Sequence, residues 1–425
     1  MACESCEAIF QENVVIKEEN KELKERMKQV EEKNRELEAQ LREIKSYIWK
    51  PEKRAEVPRK LGPPMNHEPH NRPPPKQVHR IVRLSLGKCP GCGGVLSAPV
   101  RTRKRYVEDI RPPEPLNTGY EIPYYWCTHC EKQVSPRPAD AIPRCRFGMR
   151  LMLLVTFLRY GMLLPLNKIA KELEVVYGIG ISEGCIVDSM TRFRECLGPE
   201  FAGIREGVKR LALSHMDWTG WRKGGKTVWL WDFIGEKTSL LLIRESRGKD
   251  VIYEALGTDY KGISVSDCMP TARYLPWRQQ KCWVHFLRYT RNLDSEQGKL
   301  LHARLRNIYE TARTGRASVP ELLGMTDGLK AIGLTEKKCL SMLKRLDKYR
   351  DSLFTFVDDP GVPDNNNAAE RGLRRSVVMR KITGGNRSDK GVRNHEVIMS
   401  VMQTWEKQGI DFFEKGMEIA QQNLR

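Results

Sequence analysis

The sequence lacks an apolar N-terminal run. Its first fifty residues are dense in Lys and Glu, so no secretory signal peptide is expected. It also lacks an unbroken hydrophobic stretch of membrane-spanning length. The most apolar segment, Met149 to Leu166, is interrupted by Arg150, Arg159 and Pro165, and is predicted as a buried helix rather than a membrane span. Acidic charge is in deficit: 54 Asp and Glu stand against 73 Lys and Arg, a formal net charge of +19. That excess favours a polyanionic partner, of which nucleic acid is the commonest. No βαβ pattern flanks either CxxC pair, which argues against a redox motif. Twelve cysteines, four of them in those two pairs, suit a reducing cytosol and a metal site rather than a disulfide framework.

What is present divides a chain of 425 residues into several parts. Residues 1–50 read as a coiled coil. Ile16, Asn20, Leu23, Met27, Val30, Asn34, Leu37, Leu41, Ile44 and Ile48 alternate by four and three, with Asn20 and Asn34 at a positions. Asn at a favours a parallel two-stranded pairing in one register, hence a homodimer. Residues 51–80 are rich in Pro and basic residues and poor in apolar ones, the composition of an extended linker. Residues 81–144 hold Cys89-Pro-Gly-Cys92 and Cys127-Thr-His-Cys130. Each pair can offer two thiolates to one edge of a Zn²⁺ tetrahedron, so Cys89, Cys92, Cys127 and Cys130 are the candidate ligands of a zinc ribbon, with His129 as a substitute. Strands are predicted at 101–107 and 120–126. Arg101, Arg103, Lys104 and Arg105 there could touch phosphate or simply solvate a hairpin.

Residues 145–205 read as helical. Ile169, Leu173 and Val176 share one helix face, Gly178-Ile-Gly180 is a turn, and Ser182 is a good N-cap for a second helix. This is the outline of a helix-turn-helix DNA-binding region, and equally of any αα-hairpin.

From residue 206 to 405 the pattern is α/β, followed by a C-terminal helix at 406–425. Predicted strands run Leu211 to Met216, ending at Asp217, then Thr227 to Phe233, Ser239 to Ile243, and Gly262 to Ser266, ending at Asp267. A helix at Val251 to Leu256 precedes the last. That element order opens a ribonuclease-H-like fold, in which the first and fourth strands are neighbours. Asp217 and Asp267 would then lie side by side, and a divalent cation would relieve their repulsion. Residues 295–350 read as a helical insertion. The segment after Val362 reads as a capped helix with an apolar stripe at Ala369, Leu373 and Val377. Glu370, in its first turns, is the candidate third acid. Arg371, Arg374, Arg375, Arg380, Lys381 and Arg387 crowd around it, a field suited to DNA phosphate. Glu396 is the runner-up acid, and Asp232 is read as an exposed strand position. Cys282 and His285 are expected to pack and hydrogen-bond near the site. Trp218, Trp221, Trp229, Trp231, Trp277 and Trp283 are read as packing residues rather than base-stacking platforms.

Taken together, His215-Met-Asp217-Trp-Thr-Gly-Trp221, Val265-Ser-Asp267, Gln280-Lys-Cys282-Trp-Val-His285-Phe-Leu-Arg288, and Asp364-Asn-Asn-Asn-Ala-Ala-Glu370-Arg through Arg380-Lys-Ile-Thr-Gly-Gly385 resemble the IS66-type insertion-sequence transposases. The order of coiled coil, zinc ribbon, helical region and core extends the resemblance over nearly the whole chain. One departure is Trp218, where the family usually carries Glu. The resemblance implies Asp217, Asp267 and Glu370 as a DDE triad holding two Mg²⁺ ions (or Mn²⁺), roughly 3.5–4 Å apart. It also implies cleavage at the element's ends, attack of the freed 3′-hydroxyl on target DNA, companion proteins of the element, and a cytoplasmic, nucleoid-associated location. The rival expectation is a non-catalytic DNA-binding regulator descended from a transposase.

Overall fold

A computed structural model describes residues 18–38, 73, 75–110, 112–138, 142 and 145–423. The chain folds as two units, residues 1–109 and 110–425. In the first, residues 18–38 form helix α1. Its seam residues Leu23, Met27, Val30 and Leu37 are 48–63% exposed, apolar surface that the described part of the chain leaves open. Ile16, Leu41, Ile44, Ile48 and residues 51–72 of the predicted linker lie outside the described residues.

The Cys89–Cys92 pair forms a tight knuckle. Gly93 N–H donates to Cys89 O (2.8 Å) and Cys89 N–H to Gly94 O (3.0 Å), with Gly93 in the left-handed region at φ 73°. The strand expected at 101–107 does not form. In the second unit the strand expected at 120–126 shrinks to β1 (Tyr125–Cys127), paired antiparallel with β2 (Lys132–Val134) around the Cys127–Cys130 turn. Both strands are almost wholly solvent-facing, so there is little buried surface to extend the ladder.

Four helices follow: α2 (Met149–Tyr160), α3 (Leu166–Tyr177), α4 (Glu183–Cys196) and α5 (Gly198–Lys209). The apolar segment becomes α2 and is largely buried, with Met152, Leu153 and Val155 fully so. Among the described residues no helix is long and apolar enough to cross a membrane. Gly178 ends α3 in the left-handed conformation, and Ser182 caps α4 by accepting from Cys185 N–H (3.2 Å).

The central sheet comprises β3 (Leu213–Lys223), β4 (Lys226–Ile234), β5 (Ser239–Arg244), β6 (Ile263–Ser266) and β7 (Gln279–Lys281), with α6 (Lys249–Leu256) between β5 and β6. The strand order is β5-β4-β3-β6-β7. The first three strands are antiparallel, and β6 and β7 run parallel to β3. The β3–β4 hairpin turns at Gly224-Gly225, both at positive φ, as a two-residue turn of this hand requires.

Next come α7 (Trp283–Arg291), α8 (Glu296–Arg313), α9 (Val319–Gly328), α10 (Lys337–Lys348) and the short α11 (Thr355–Asp358). They enclose a second core around Trp283, Leu301, Leu305, Ile308, Met342 and Phe354. Helix α7, which precedes the expected insertion at 295–350, joins this core through the buried Trp283. The chain closes with α12 (Asn367–Thr383), α13 (Asp389–Gln408) and α14 (Phe412–Asn423). Helix α12 lies on β3 and β4, α13 on β5, and α14 on α2. A Cβ at Gly372 would collide with Asp232 and Ile234, so the close seating of α12 on β4 needs glycine at this position.

Candidate active site

Asp217 lies in the middle of β3, not at its end, because the ladder with β4 runs on to Lys223. The pairing of β3 with β6 covers only Leu213 to His215. Extending the register His215↔Val265 by two residues sets Asp217 beside Asp267, just past the end of β6. Helix α12 crosses β3 and carries Glu370 in its first turn.

Asp217 feels both of the other acids. Burial first, and then the charge of Asp267, push Asp217 up from 3.8 to about 7, with Glu370 adding to the rise. The Trp218 N–H, donating to Asp217 Oδ1 at 2.8 Å, acts the other way. Burial also raises Asp267, against the opposing fields of His285 and Lys281. Among the described residues, Asp267 Oδ1 and Glu370 Oε1 are buried oxygens with no hydrogen-bond partner. Buried polar atoms are normally satisfied, so each is an exception that needs a cause. Oxygen-only donors, mutual repulsion and unmet acceptors are what a hard divalent cation would fit. Among the described residues no three His, Cys, Asp or Glu side chains already close into a ligand set.

The surroundings separate what the sequence left together. His285 Nε2 stands 3.6 Å from Glu370 Oε1, and the buried Cys282 Sγ accepts from Asn366 N–H (3.2 Å). Both residues of this pair therefore reach the site. Glu396 does not: it is buried in α13 against β5, accepting from Ile243 N–H (2.7 Å) and ion-paired with Arg244 and Arg393. The reading of Asp232 as an exposed strand position is overturned. Asp232 pairs with Asp217 in register and is fully buried beneath α12, with Oδ1 accepting from Ser239 Oγ (3.1 Å) and Oδ2 unpartnered. Alternation marked a solvent face there only while α12 was left out of account.

Burial raises Asp232 from 3.8 to about 8. The native state thus keeps a proton that the unfolded chain has released. The contribution is full below about pH 4 and is lost as pH rises to about 8. Asp232→Asn should remove this slope, so the variant should gain stability relative to wild type between pH 5 and pH 8. Urea unfolding at the two pH values reads it, and parallel losses in both proteins would count against a protonated Asp232.

The basic residues divide likewise. Arg371, Arg374, Lys381 and Arg387 are exposed. Arg375 is ion-paired with Glu406 (2.8 Å). Arg380 donates to Gly220 O and to Thr219 Oγ1, tying α12 to β3. Of the tryptophans, Trp221, Trp231, Trp277 and Trp283 are buried. Trp218 and Trp229 are half-buried, edge to face at 4.8 Å, with the Arg247 guanidinium over both rings. The outward face of α4 presents Glu183, Asp188 and Glu195, with Asp188 paired to Lys390 (2.6 Å). Glu195 is likewise paired, with Arg194 (2.8 Å).

Two residues at the site were not foreseen from the sequence. Lys281 is fully buried and donates to Ser266 Oγ and Gln279 Oε1, both at 2.9 Å. Burial lowers it to about 8. Asn366, also fully buried, bonds to β3. Both lie inside the quoted motifs, and Asn366 in a run offering N-caps, but no local signal marks their burial.

The model of the transposase IS66 family matches residues 144–394, more than half of the chain. The chain belongs to the IS66 family of transposases. The matched region takes in α2 to α12 and every one of the three acids, so this IS66-family chain carries Asp217, Asp267 and Glu370 within its family-defining part. It is also similar to uncharacterized protein y4jO of Sinorhizobium fredii, 35% identical over 72 residues, or 17% of this chain. The chain spans about a fifth (22%) of that relative's length.

Proposed function

We propose that this protein is a DNA transposase performing metal-dependent strand cleavage and strand transfer, with Asp217, Asp267 and Glu370 as the catalytic carboxylates. The observation that carries the reading is a buried Asp217 raised by both Asp267 and Glu370, with unmet buried oxygens on the latter two and exposed arginines on the helix that carries Glu370. The strand order, with β3 flanked by antiparallel β4 and parallel β6, supports a ribonuclease-H-like core. Bound by the three acids, Mg²⁺ or Mn²⁺ would supply Lewis-acid stabilisation of charge on phosphoryl oxygens. The chain's own residues set the field and the approach. Asp217, raised to about 7, is poised to lose its proton near neutral pH when positive charge arrives. Arg371, Arg374, Lys381 and Arg387, all exposed, would hold the backbone of double-stranded DNA. No Ser or Tyr nucleophile is required, since water and then the 3′-hydroxyl attack phosphorus directly.

The cysteine knuckles fit zinc. Peptide N–H groups, first that of Cys92, hold Cys89 below its usual range, and that of Cys130 does the same for Cys127. Such donors favour the thiolate form that zinc binds. We read Cys89, Cys92, Cys127 and Cys130 as the ligands. Metal analysis of purified chain should return one zinc, lost in Cys127→Ser; a zinc content near zero in protein never exposed to chelator would refute this. The exposed seam of α1 is read as the face of a homodimer. Strand cleavage and joining with Mg²⁺ on DNA carrying element ends, wild type against amide variants of the three acids, tests the enzymatic reading.

A further inference from the structure

Glu370 approaches the two aspartates from a helix whose start is held in an unusual way. Asn366 occupies the N-cap of α12, yet its side chain makes no bond to that helix. An N-cap Asn ordinarily accepts from the N–H groups of its own first turn. Here the amide is turned to β3. Its Nδ2 donates to Met216 O (3.0 Å), and its Oδ1 lies 3.0 Å from His215 Nδ1. With Nδ2 engaged as donor, Oδ1 must accept, so His215 presents Nδ1–H. The Asn366 backbone completes the junction. Its N–H donates to Cys282 Sγ (3.2 Å), and its carbonyl accepts from Glu370 N–H (3.3 Å). Two residues earlier, Asp364 O accepts from Trp283 N–H (2.9 Å), and Asp364 Oδ2 accepts from Tyr309 Oη (2.8 Å).

One fully buried side chain thus bonds the residue before Asp217, while its own peptide bonds the start of the insertion and the backbone of Glu370. We propose that Asn366 is a positioning residue that fixes Glu370 against Asp217, clamping the first turn of α12 to β3 and to the start of α7. The inference rests on the reading of the three acids as metal ligands. Like-charged carboxylates push apart, and a strut between the elements that bear them keeps the set ready for a cation. His215 and Cys282 act through Asn366, the former as its side-chain donor and the latter as its backbone acceptor.

The test is Mn²⁺ binding to the full-length chain without DNA, read from the EPR signal of free Mn²⁺, alongside the Mg²⁺ dependence of cleavage. Loss of an outer-shell partner typically weakens metal binding by about 10–100-fold, and Asn366→Ala should do so here. The Mg²⁺ concentration for half-maximal cleavage should rise in step. His215→Ala should shift both in the same direction by less, and His215→Asn, which returns an amide N–H near the place of Nδ1–H, should restore most of the loss. A merely structural role would lower the melting temperature without moving metal affinity. Wild-type Mn²⁺ affinity in folded Asn366→Ala and His215→Ala overturns the proposal, as does lost cleavage at unchanged affinity. If Asn366→Ala does not fold, the two His215 variants decide by the same criterion. Wild type that binds no Mn²⁺, or Asp217→Asn that binds it equally well, brings down the three-acid reading, and this inference with it.

Discussion

Asp217→Asn, Asp267→Asn and Glu370→Gln should each lower strand cleavage and joining by about three orders of magnitude or more, about 4 kcal/mol of lost transition-state stabilisation. Each amide is close in shape to its acid, so packing should hardly change. Each removes one negative donor from a set in which burial first, and then the neighbouring acids, already raise Asp217 to about 7. The resting protein should tolerate the loss well, because repulsion among the acids falls. The melting temperature of the metal-free variants should therefore equal or exceed that of wild type, while activity collapses. Opposite signs in stability and activity are the mark of a functional charge cluster. Two controls bracket the result. Asp232→Asn keeps a neutral side chain where the native group is already protonated at neutral pH, and should retain most activity. Glu396→Gln weakens the buried pair with Arg244 on the β5 side of the sheet, so it should cost stability and leave the chemistry of the folded protein intact. Retained cleavage in Glu370→Gln together with loss in Glu396→Gln would reassign the third acid. If all three amide variants match wild type, the enzymatic reading falls and a DNA-binding regulator becomes the better account.

DNA affinity should fall by about 10³-fold or more between 50 and 200 mM salt, and should survive each of the three amide substitutions. A chain of formal charge +19 binding a polyanion releases counterions, and the loss grows with each phosphate neutralised. The structure divides the arginines of α12 into two groups that should behave differently. Arg371 and Arg374 are exposed. Their joint replacement by Ala should weaken binding about equally on all sequences and reduce the salt slope by about two. Arg380 is engaged with Gly220 O and Thr219 Oγ1. Its replacement should lower the melting temperature and disturb β3 next to Asp217, with the salt slope little altered. Equal effects on the slope at the three positions would show that the division is wrong, and a flat salt response would mean that the charge serves something other than DNA.

Much of the core was legible in the sequence because its signals are local. The strands expected at 211–216, 227–233, 239–243 and 262–266 fall on β3, β4, β5 and β6, and Ser182 and Gly178 mark helix ends by their own chemistry. Asp217 and Asp267 fall side by side once the strand order sets β6 parallel to β3, whereas the choice of Glu370 rests on the resemblance of the motifs. The predicted ribbon strands were less faithful. A residue's β propensity acts only where a partner and a covering layer exist, and 101–107 acquires neither.

The sequence by itself determined the charge balance, the heptad spacing and the two CxxC pairs, since each is a property of composition or short spacing. Tertiary structure alone decided that Asp232 is buried and its carboxyl pushed up, that Arg375 and Arg380 are engaged while Arg371 and Arg374 are exposed, that Glu396 belongs to the β5 side, and that Asn366 joins helix to strand. These are facts about what lies over a residue. They depend on contacts between distant segments, from 31 positions for Arg375 with Glu406 to 150 for Asn366 with Met216 and 153 for Glu396 with Ile243. Solvation and hydrogen-bond satisfaction are set by those distant neighbours, and no window along the chain contains them.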